Sequence, residues 1–236
     1  MKQESIQKAN RTTTKALITY AVKQLFFLFI TGLLLFISLG SLQYPMAWVY
    51  LVALVFIVIA NTLAMDKTLI TERSKLQKGT KKWDIALSVY VAILGPFSVL
   101  LISGLDQRFG WSTDIPSWVN FVAVVIFLLG SSIATRAMAA NRFFAATVRI
   151  QEDREQNVVC TGPYRFVRHP GYLGGIIANI ATPLILGSYF ALIASIGVAL
   201  AFVLRTKLED KVLQEELSGY RSYAKKVRYR LFYALW

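Results

Sequence analysis

Six apolar stretches divide the chain, and polar residues collect in the segments between them. A helix that crosses a bilayer needs about 20 mostly apolar residues. Ala16–Leu42 holds such a run, broken only by Lys23 near its start, where a long basic side chain can reach the interface. Ala47–Met65 follows after a Gln43-Tyr44-Pro45 break, then Ile85–Leu105 and Val119–Thr135. Gly95-Pro96 lies in the middle of the third stretch, and a mid-span proline removes a backbone bond and predicts a kink there. Tyr172–Leu186 and Tyr189–Leu204 form a fifth and sixth, separated by Gly187-Ser188. Each has about 15 residues, which at about 1.5 Å per residue reaches roughly 23 Å. Such short segments predict either a crossing of a locally thin region or a hairpin packed inside the bundle. The first stretch follows basic residues, as a signal peptide would. Its apolar part is too long and no small-x-small site follows near Leu42, so an uncleaved first span is expected.

The expected fold is all-α: a polytopic transmembrane helical bundle of about six spans with a cytoplasmic C-terminal amphipathic helix. Residues 1–135 supply the first four helices. Residues 136–236 supply the final two-helix hairpin and the polar segments beside it.

The charges agree with this division. The proposed loops at 41–46 and 106–118 hold one basic residue, Arg108, against Asp106 and Asp114. The other Lys and Arg lie in the N-terminus, 66–84, 136–171 and 205–236, or at the helix ends that border them. By the positive-inside rule both termini are cytoplasmic, which requires an even number of spans. An integral, multi-pass membrane protein is the expectation.

Composition adds little beyond this, but it excludes several classes. The 236 residues are 56% hydrophobic and 17% charged, with mean hydropathy +0.51. A soluble domain carries about 25% charge and 45–50% apolar residues. A net charge of +13 could indicate nucleic acid in a soluble protein. Here it is mainly a topology signal with attraction to anionic membrane lipids, and no nucleic-acid partner is expected. One cysteine, Cys160, cannot form an internal bridge. With a single histidine and no ligand-like spacing, no metal is expected. Mid-membrane positions offer only mild polar groups such as Asn179 and Thr182, which argues against an ion-coupled transporter.

The polar residues suited to chemistry gather in two stretches. The first reads Thr161-Gly162-Pro163-Tyr164-Arg165-Phe166-Val167-Arg168-His169-Pro170-Gly171-Tyr172-Leu173-Gly174-Gly175. Gly162-Pro163 signals a turn. Pro170 suits the first position of the fifth helix, and the free N–H groups of that turn attract carboxylate or phosphate. Arg165 and Arg168 add positive charge. Gly171, Gly174 and Gly175 leave room for a ligand or a neighbouring helix. His169 can equally be a helix-capping residue.

The second stretch, Arg205 to Tyr220, keeps an approximately helical apolar stripe of Leu204, Leu208, Leu213 and Leu217, with Gly219 a candidate cap. Glu209 lies four residues beyond Arg205, the spacing of an ordinary helical ion pair. The mixture of basic and aromatic residues from Tyr220 to Trp236 suits a membrane interface.

In these two stretches the sequence resembles the isoprenylcysteine carboxyl methyltransferase family, including its bacterial members and the related phospholipid N-methyltransferases. The family pattern is G-P-Y-x-x-V-R-H-P-x-Y-x-G, then a helical hairpin, then E-E-x-x-L with a following G-x-x-Y-x-x-Y-x-x-x-V. Gly162 through Gly174 match the first part at every fixed position. Glu209-Asp210-Lys211-Val212-Leu213 matches the second, with Asp for the second Glu, and Gly219 stands closer to Tyr220 than the pattern has it. Lys81-Lys82-Trp83-Asp84, Asn141-Arg142-Phe143-Phe144 and Val227-Arg228-Tyr229-Arg230-Leu231 look like the bacterial branch, which usually has proline where Tyr233 stands.

The resemblance implies a membrane enzyme that transfers a methyl group from S-adenosyl-L-methionine to a lipophilic small-molecule or prenylated acceptor. It places Tyr164, Val167, His169, Pro170, Tyr172, Gly174, Glu209 and Asp210 around the cofactor. Arg168 is the expected catalytic residue, orienting an acceptor carboxylate through charge-assisted bonds. Methyl transfer to a carboxylate needs alignment more than proton removal, which favours O-methylation. Two alternatives stand beside it. One is an NADPH-dependent membrane reductase of the sterol-reductase type, with Arg221, Lys225 and Lys226 reading the 2′-phosphate. The other is a non-enzymatic membrane scaffold or lipid-binding protein.

Overall fold

The computed structural model describes residues 2–73 and 76–236. Its elements are α1 (Lys2–Leu39), α2 (Pro45–Ala64), α3 (Lys67–Arg73), α4 (Lys82–Val89), α5 (Gly95–Phe109), α6 (Ser117–Ala140), α7 (Pro170–Ile185), α8 (Ala191–Glu216) and α9 (Tyr220–Lys226). Five helical segments are long and apolar enough to cross a membrane: Leu17–Leu39, Pro45–Ala64, Lys82–Phe109, Ser117–Ala140 and Ala191–Glu216. The chain is an integral, multi-pass membrane protein. Its outer faces display Phe26, Phe29, Phe56, Phe121, Leu129 and Leu200, all well exposed on the bundle's perimeter. Lipid rather than water satisfies such a surface.

The third span joins α4 to α5 through a π-turn at Tyr90–Leu94, where the Gly95 N–H donates to the Tyr90 carbonyl. The kink expected at Gly95-Pro96 thus takes the form of a π-turn just ahead of the proline, a common cause of helix irregularity.

The fifth apolar stretch, α7, is too short for the usual span. It needs no such length, because none of its residues is exposed. It runs antiparallel to α6 with every residue buried or part-buried, so packing against neighbouring helices sets its position more than the bilayer thickness does. The approach is close because Gly174 of α7 lies on Gly130 and Ala134 of α6. A Cβ at Gly174 would sit 2.7 Å from the Ala134 nitrogen and against the Gly130 carbonyl. Gly171 and Gly175 likewise accommodate the rings of Phe144 and Phe202, so all three glycines make room for neighbouring protein.

The far end of α7 leaves carbonyls without helical partners. Asn120 at the start of α6 donates to the Leu184 carbonyl at 2.8 Å, Tyr44 to Leu186 at 3.1 Å, and Gln107 to Gly187 at 2.5 Å. Buried Asp106 accepts from the Ser112 and Ser188 hydroxyls there. Asn179 and Ser195 exchange hydrogen bonds with each other's backbone carbonyls and tie α7 to α8. The mild polar groups of the mid-membrane region therefore hold helices together.

The apolar pattern ends the sixth stretch at Leu204, yet α8 continues unbroken to Glu216. Arg205, Thr206 and Asp210 are buried on its inner face and paired there, so the helix keeps a protein-facing side beyond its lipid-facing part. The amphipathic segment expected beyond the membrane is the outer part of α8, and α9 is a separate short helix of about two turns. Gly219, at φ +82°, makes the turn between them.

Two measurements test this fold. Gly174→Ala forces α6 and α7 apart at the backbone and should cost about 1–3 kcal/mol, the range for overpacking. Gly32→Ala, whose Cβ would meet Leu51 at an ordinary 3.7 Å, should be near neutral. Equal thermal-unfolding midpoints for the two variants in detergent would contradict the packing. In a Cys160→Ser background, cysteines introduced at Thr113 and Ser218 should react with impermeant reagent from opposite faces of the membrane.

Candidate functional site

The start of α7, the inner face of α8 beyond Leu204, α9 and the connection 141–161 enclose a cavity. Its empty volume is about 810 Å³, including its open mouth. Tyr164, Arg168, His169, Gly171, Tyr172, Arg205, Glu209, Tyr220 and Tyr223 line it, together with Asn141, Phe143, Phe144 and residues of 145–159.

Two buried carboxylates outside the lining position these groups. Asp84, at the start of the third span, is fully buried and receives Arg205 Nε at 2.6 Å and Nη2 at 3.0 Å. It also accepts from the Val148 N–H at 2.6 Å and from the Ser88 hydroxyl. Arg205 in turn donates to the Ala146 carbonyl, so one ion pair joins the third span, α8 and the connecting segment. Its guanidinium lies over the Tyr172 ring, 5.0 Å from the centroid. The i,i+4 pair with Glu209 that the spacing allows is not formed, because the fully buried Asp84 takes the arginine's fork in bidentate geometry.

Asp210 is the second, also fully buried. Arg168 donates to it from Nε at 2.7 Å and Nη2 at 2.9 Å, and Gln214, Tyr220 and Arg230 donate at 2.8, 3.0 and 2.9 Å. His169 Nε2 stands 3.5 Å away. Arg168 Nη1 also reaches the carbonyls of Val227 and Arg228. The backbone N–H groups of Arg168 and His169 donate to Tyr229 and Arg230, so the C-terminal segment is strapped to the start of α7. Burial works against the charge of Arg168, but the hydrogen bonds and charge of Asp210 outweigh it and raise its pKa. The guanidinium is a fixed positive charge in the cavity wall.

The connection 141–161 is folded, not a loose loop. Arg149 pairs with buried Glu72 at 2.8 Å and with Asp153 at 2.7 Å. Buried Gln151 donates to the Phe143 carbonyl at 2.8 Å, and Arg73 to that of Phe144 at 3.1 Å. Thr80 and Thr147 share a hydrogen bond.

Against this background Glu209 differs from every other charged group in the lining. Arg149, Arg168 and Arg205 are each matched by a carboxylate. Glu209 is half-buried, and its one hydrogen bond among the described residues comes from the Tyr172 hydroxyl. The Tyr172 ring stacks on His169 at 5.6 Å between centroids. Burial raises the phenol pKa values of Tyr164, Tyr220 and Tyr223 and keeps them as neutral hydrogen-bonding groups. Tyr164 accepts from Asn141 at 3.2 Å, and Tyr223 donates to the Tyr164 carbonyl at 2.7 Å.

The structure brings together in the lining five of the residues singled out in the sequence: Tyr164, Arg168, His169, Tyr172 and Glu209. The other four lie behind them. Val167 and Pro170 are buried in the turn that leads into α7, Gly174 lies against α6, and Asp210 holds the wall from outside. His169 stands at the N-cap of α7, but its ring makes no capping bond. Arg221, Lys225 and Lys226, the expected phosphate-reading cluster of a reductase, do not line the cavity. Arg205, Asp84, Tyr220, Tyr223 and the 141–159 wall were not legible as site residues. Asp84 and Asn141–Phe144 lie in the stretches whose resemblance to the bacterial branch the sequence offered, a usable signal without a role attached.

Residues 122–215 match the model of the Isoprenylcysteine carboxyl methyltransferase (ICMT) family. The "Probable protein-S-isoprenylcysteine O-methyltransferase" of Oryza sativa subsp. indica is 28% identical over 113 residues, 47% of this chain and 59% of that protein. "Protein-S-isoprenylcysteine O-methyltransferase A" of Arabidopsis thaliana is 28% identical over 103 residues, 43% of this chain and 48% of that protein. The B protein of the same plant is 25% identical over 146 residues, 60% of this chain and 70% of that protein. The chain thus spans about half to two thirds of the length of these relatives.

Breaking the Asp84–Arg205 pair should be costly in a way its surface counterparts are not. Asp84→Asn leaves Arg205 buried without its counter-charge, a loss of about 3–5 kcal/mol. Lys81→Gln removes a half-exposed pair with Glu216 and should cost at most about 1 kcal/mol. Thermal unfolding of both variants in detergent checks the ranking, and an unchanged midpoint for Asp84→Asn would contradict it.

Proposed function

We propose that the protein is an S-adenosyl-L-methionine-dependent methyltransferase that O-methylates the carboxylate of a lipid-like acceptor, such as a prenylated cysteine. The observation that carries this reading is Glu209, the one charged lining residue that forms no ion pair among the described residues, beside an aromatic stack and three fixed arginines. A ligand that combines an ammonium, hydroxyls, an aromatic base and a carboxylate suits that donor set. The names of the plant relatives and the family of residues 122–215 point to the same chemistry.

In this reading S-adenosyl-L-methionine supplies a methyl group activated by its sulfonium. Glu209 accepts from the ammonium or the ribose hydroxyls, and Tyr172 orients Glu209 through its hydroxyl. Arg205, fixed by Asp84, and the Gly171 N–H at the start of α7 face the carboxylate. Arg168 orients the acceptor carboxylate. The transfer forms an ester and neutralises the acceptor's negative charge, so no protein group has to take a proton. That fits a lining whose tyrosines are held neutral and whose arginines are permanently charged. The work left to the side chains is alignment, which alone can lower a barrier by several kcal/mol. The division of basic residues supports an orientation with both chain ends cytoplasmic. The motifs of the bacterial branch support a bacterial inner membrane.

Calorimetry with S-adenosylhomocysteine and NADPH separates this reading from the reductase. S-adenosylhomocysteine should bind and NADPH should not; the reverse result overturns the proposal. Glu209→Ala should weaken that binding by roughly tenfold to a hundredfold, the loss of a charged hydrogen bond of about 1.5–3 kcal/mol. Arg168→Ala should slow single-turnover methylation more than it weakens binding, with Arg168→Lys as a folded control. Equal loss of binding in the Glu209 and Arg168 variants would defeat this division of roles.

A further inference from the structure

A second concavity lies on the outer side of α8, back to back with the cavity just described. Lys207, Lys211, Gln214, Arg221 and Arg230 line it, with Asp210 and Glu215. Asp210 already carries the charge of Arg168 from the other side, besides that of Arg230. Glu215 reaches Lys211 only at 3.9 Å, between two exposed side chains. Arg221 spends its Nε on the Gln214 carbonyl and otherwise faces solvent. Lys207 has no ionic partner among the described residues. The groove therefore has an excess of positive charge and many free N–H donors.

Its position along α8 is informative. Ile193, Ile196, Leu200 and Leu204 form one exposed stripe at helical spacing, 71%, 52%, 63% and 47% exposed. Lys207 and Lys211 continue that same face, three and seven residues beyond Leu204. The side that meets acyl chains thus turns basic within one helical turn, which is where a bilayer changes from hydrocarbon to headgroup. The groove opens at that level, beside a stripe that can lie against the chains of one lipid.

We propose that this groove is a discrete binding site for the phosphate of an anionic phospholipid, with the lipid's chains along the Ile193–Leu204 stripe. Lys207 and Lys211 meet the phosphate as point charges, and Arg221 and Arg230 supply planar donors. The site is separate from the cavity of the proposed methyl transfer and does not depend on that reading. It differs from diffuse attraction of a basic surface, because it requires these particular cations.

The test uses the full-length protein in detergent, titrated with short-chain phosphatidylglycerol, phosphatidylcholine and inorganic phosphate, with bound lipid read by native mass spectrometry. Phosphatidylglycerol should bind saturably and in preference to phosphatidylcholine. The triple variant Lys207→Gln, Lys211→Gln, Arg221→Gln should weaken it by about fivefold per basic residue removed. A charge-matched control, Lys78→Gln, Lys225→Gln, Lys226→Gln, removes exposed basic residues outside the groove and should leave binding unchanged. Equal weakening by both triples means diffuse attraction and overturns the site. Displacement by inorganic phosphate as effective as that by phosphatidylglycerol assigns the groove to free phosphate and overturns the lipid reading. If the groove triple does not fold, Lys211→Gln alone, at a side chain 72% exposed, should still give its single share of the loss.

Discussion

The carboxylate of Asp210 is wholly removed from solvent and accepts from Arg168, Gln214, Tyr220 and Arg230. An uncompensated charge in that position would cost several kcal/mol. Its partners come from the start of α7, from α8, from α9 and from the C-terminal segment. None of those pieces can move away without exposing the charge to a poor environment. The two-residue backbone pairing of Arg168 and His169 with Tyr229 and Arg230 follows the same constraint. Aligned methyl transfer would need such a rigid wall, because small displacements at the reacting atoms are costly.

Asp84 does the equivalent for the opposite wall. The pair it forms with Arg205 connects residues 121 positions apart and fixes the connection 141–161 through Val148 and Ala146. With both carboxylates placed outside the lining, the arginines enter the cavity already neutralised on their far side. Glu209 remains as the charged group with capacity to spare.

Burial of α7 links the membrane part to this site. A helix of 16 residues is short for the bilayer, but α7 is largely covered by its neighbours and starts at the cavity. Glycine at 174 permits the contact with α6, and the side chains of Asn120, Tyr44 and Gln107 complete its far end. The position of the motif from Arg168 to Tyr172 is therefore set by helix packing deep in the bundle.

The sequence by itself determined the membrane class, the location of the apolar helices and the two polar stretches that meet at the cavity. Those features are local: hydrophobic runs, a proline at a helix start and a short motif can be read without knowing what lies nearby. Tyr164, Arg168, His169, Tyr172 and Glu209 were legible for that reason. The tertiary structure decided which carboxylate each arginine meets. Spacing suggested Arg205 with Glu209, but Asp84 takes that arginine from a distant helix, and no periodicity encodes such a choice. It also decided that Asp210 and Gly174 stand behind the cavity wall, and that residues 141–159 form part of it. A buried ion pair is set by which groups desolvate together, and that is known only once the helices have packed.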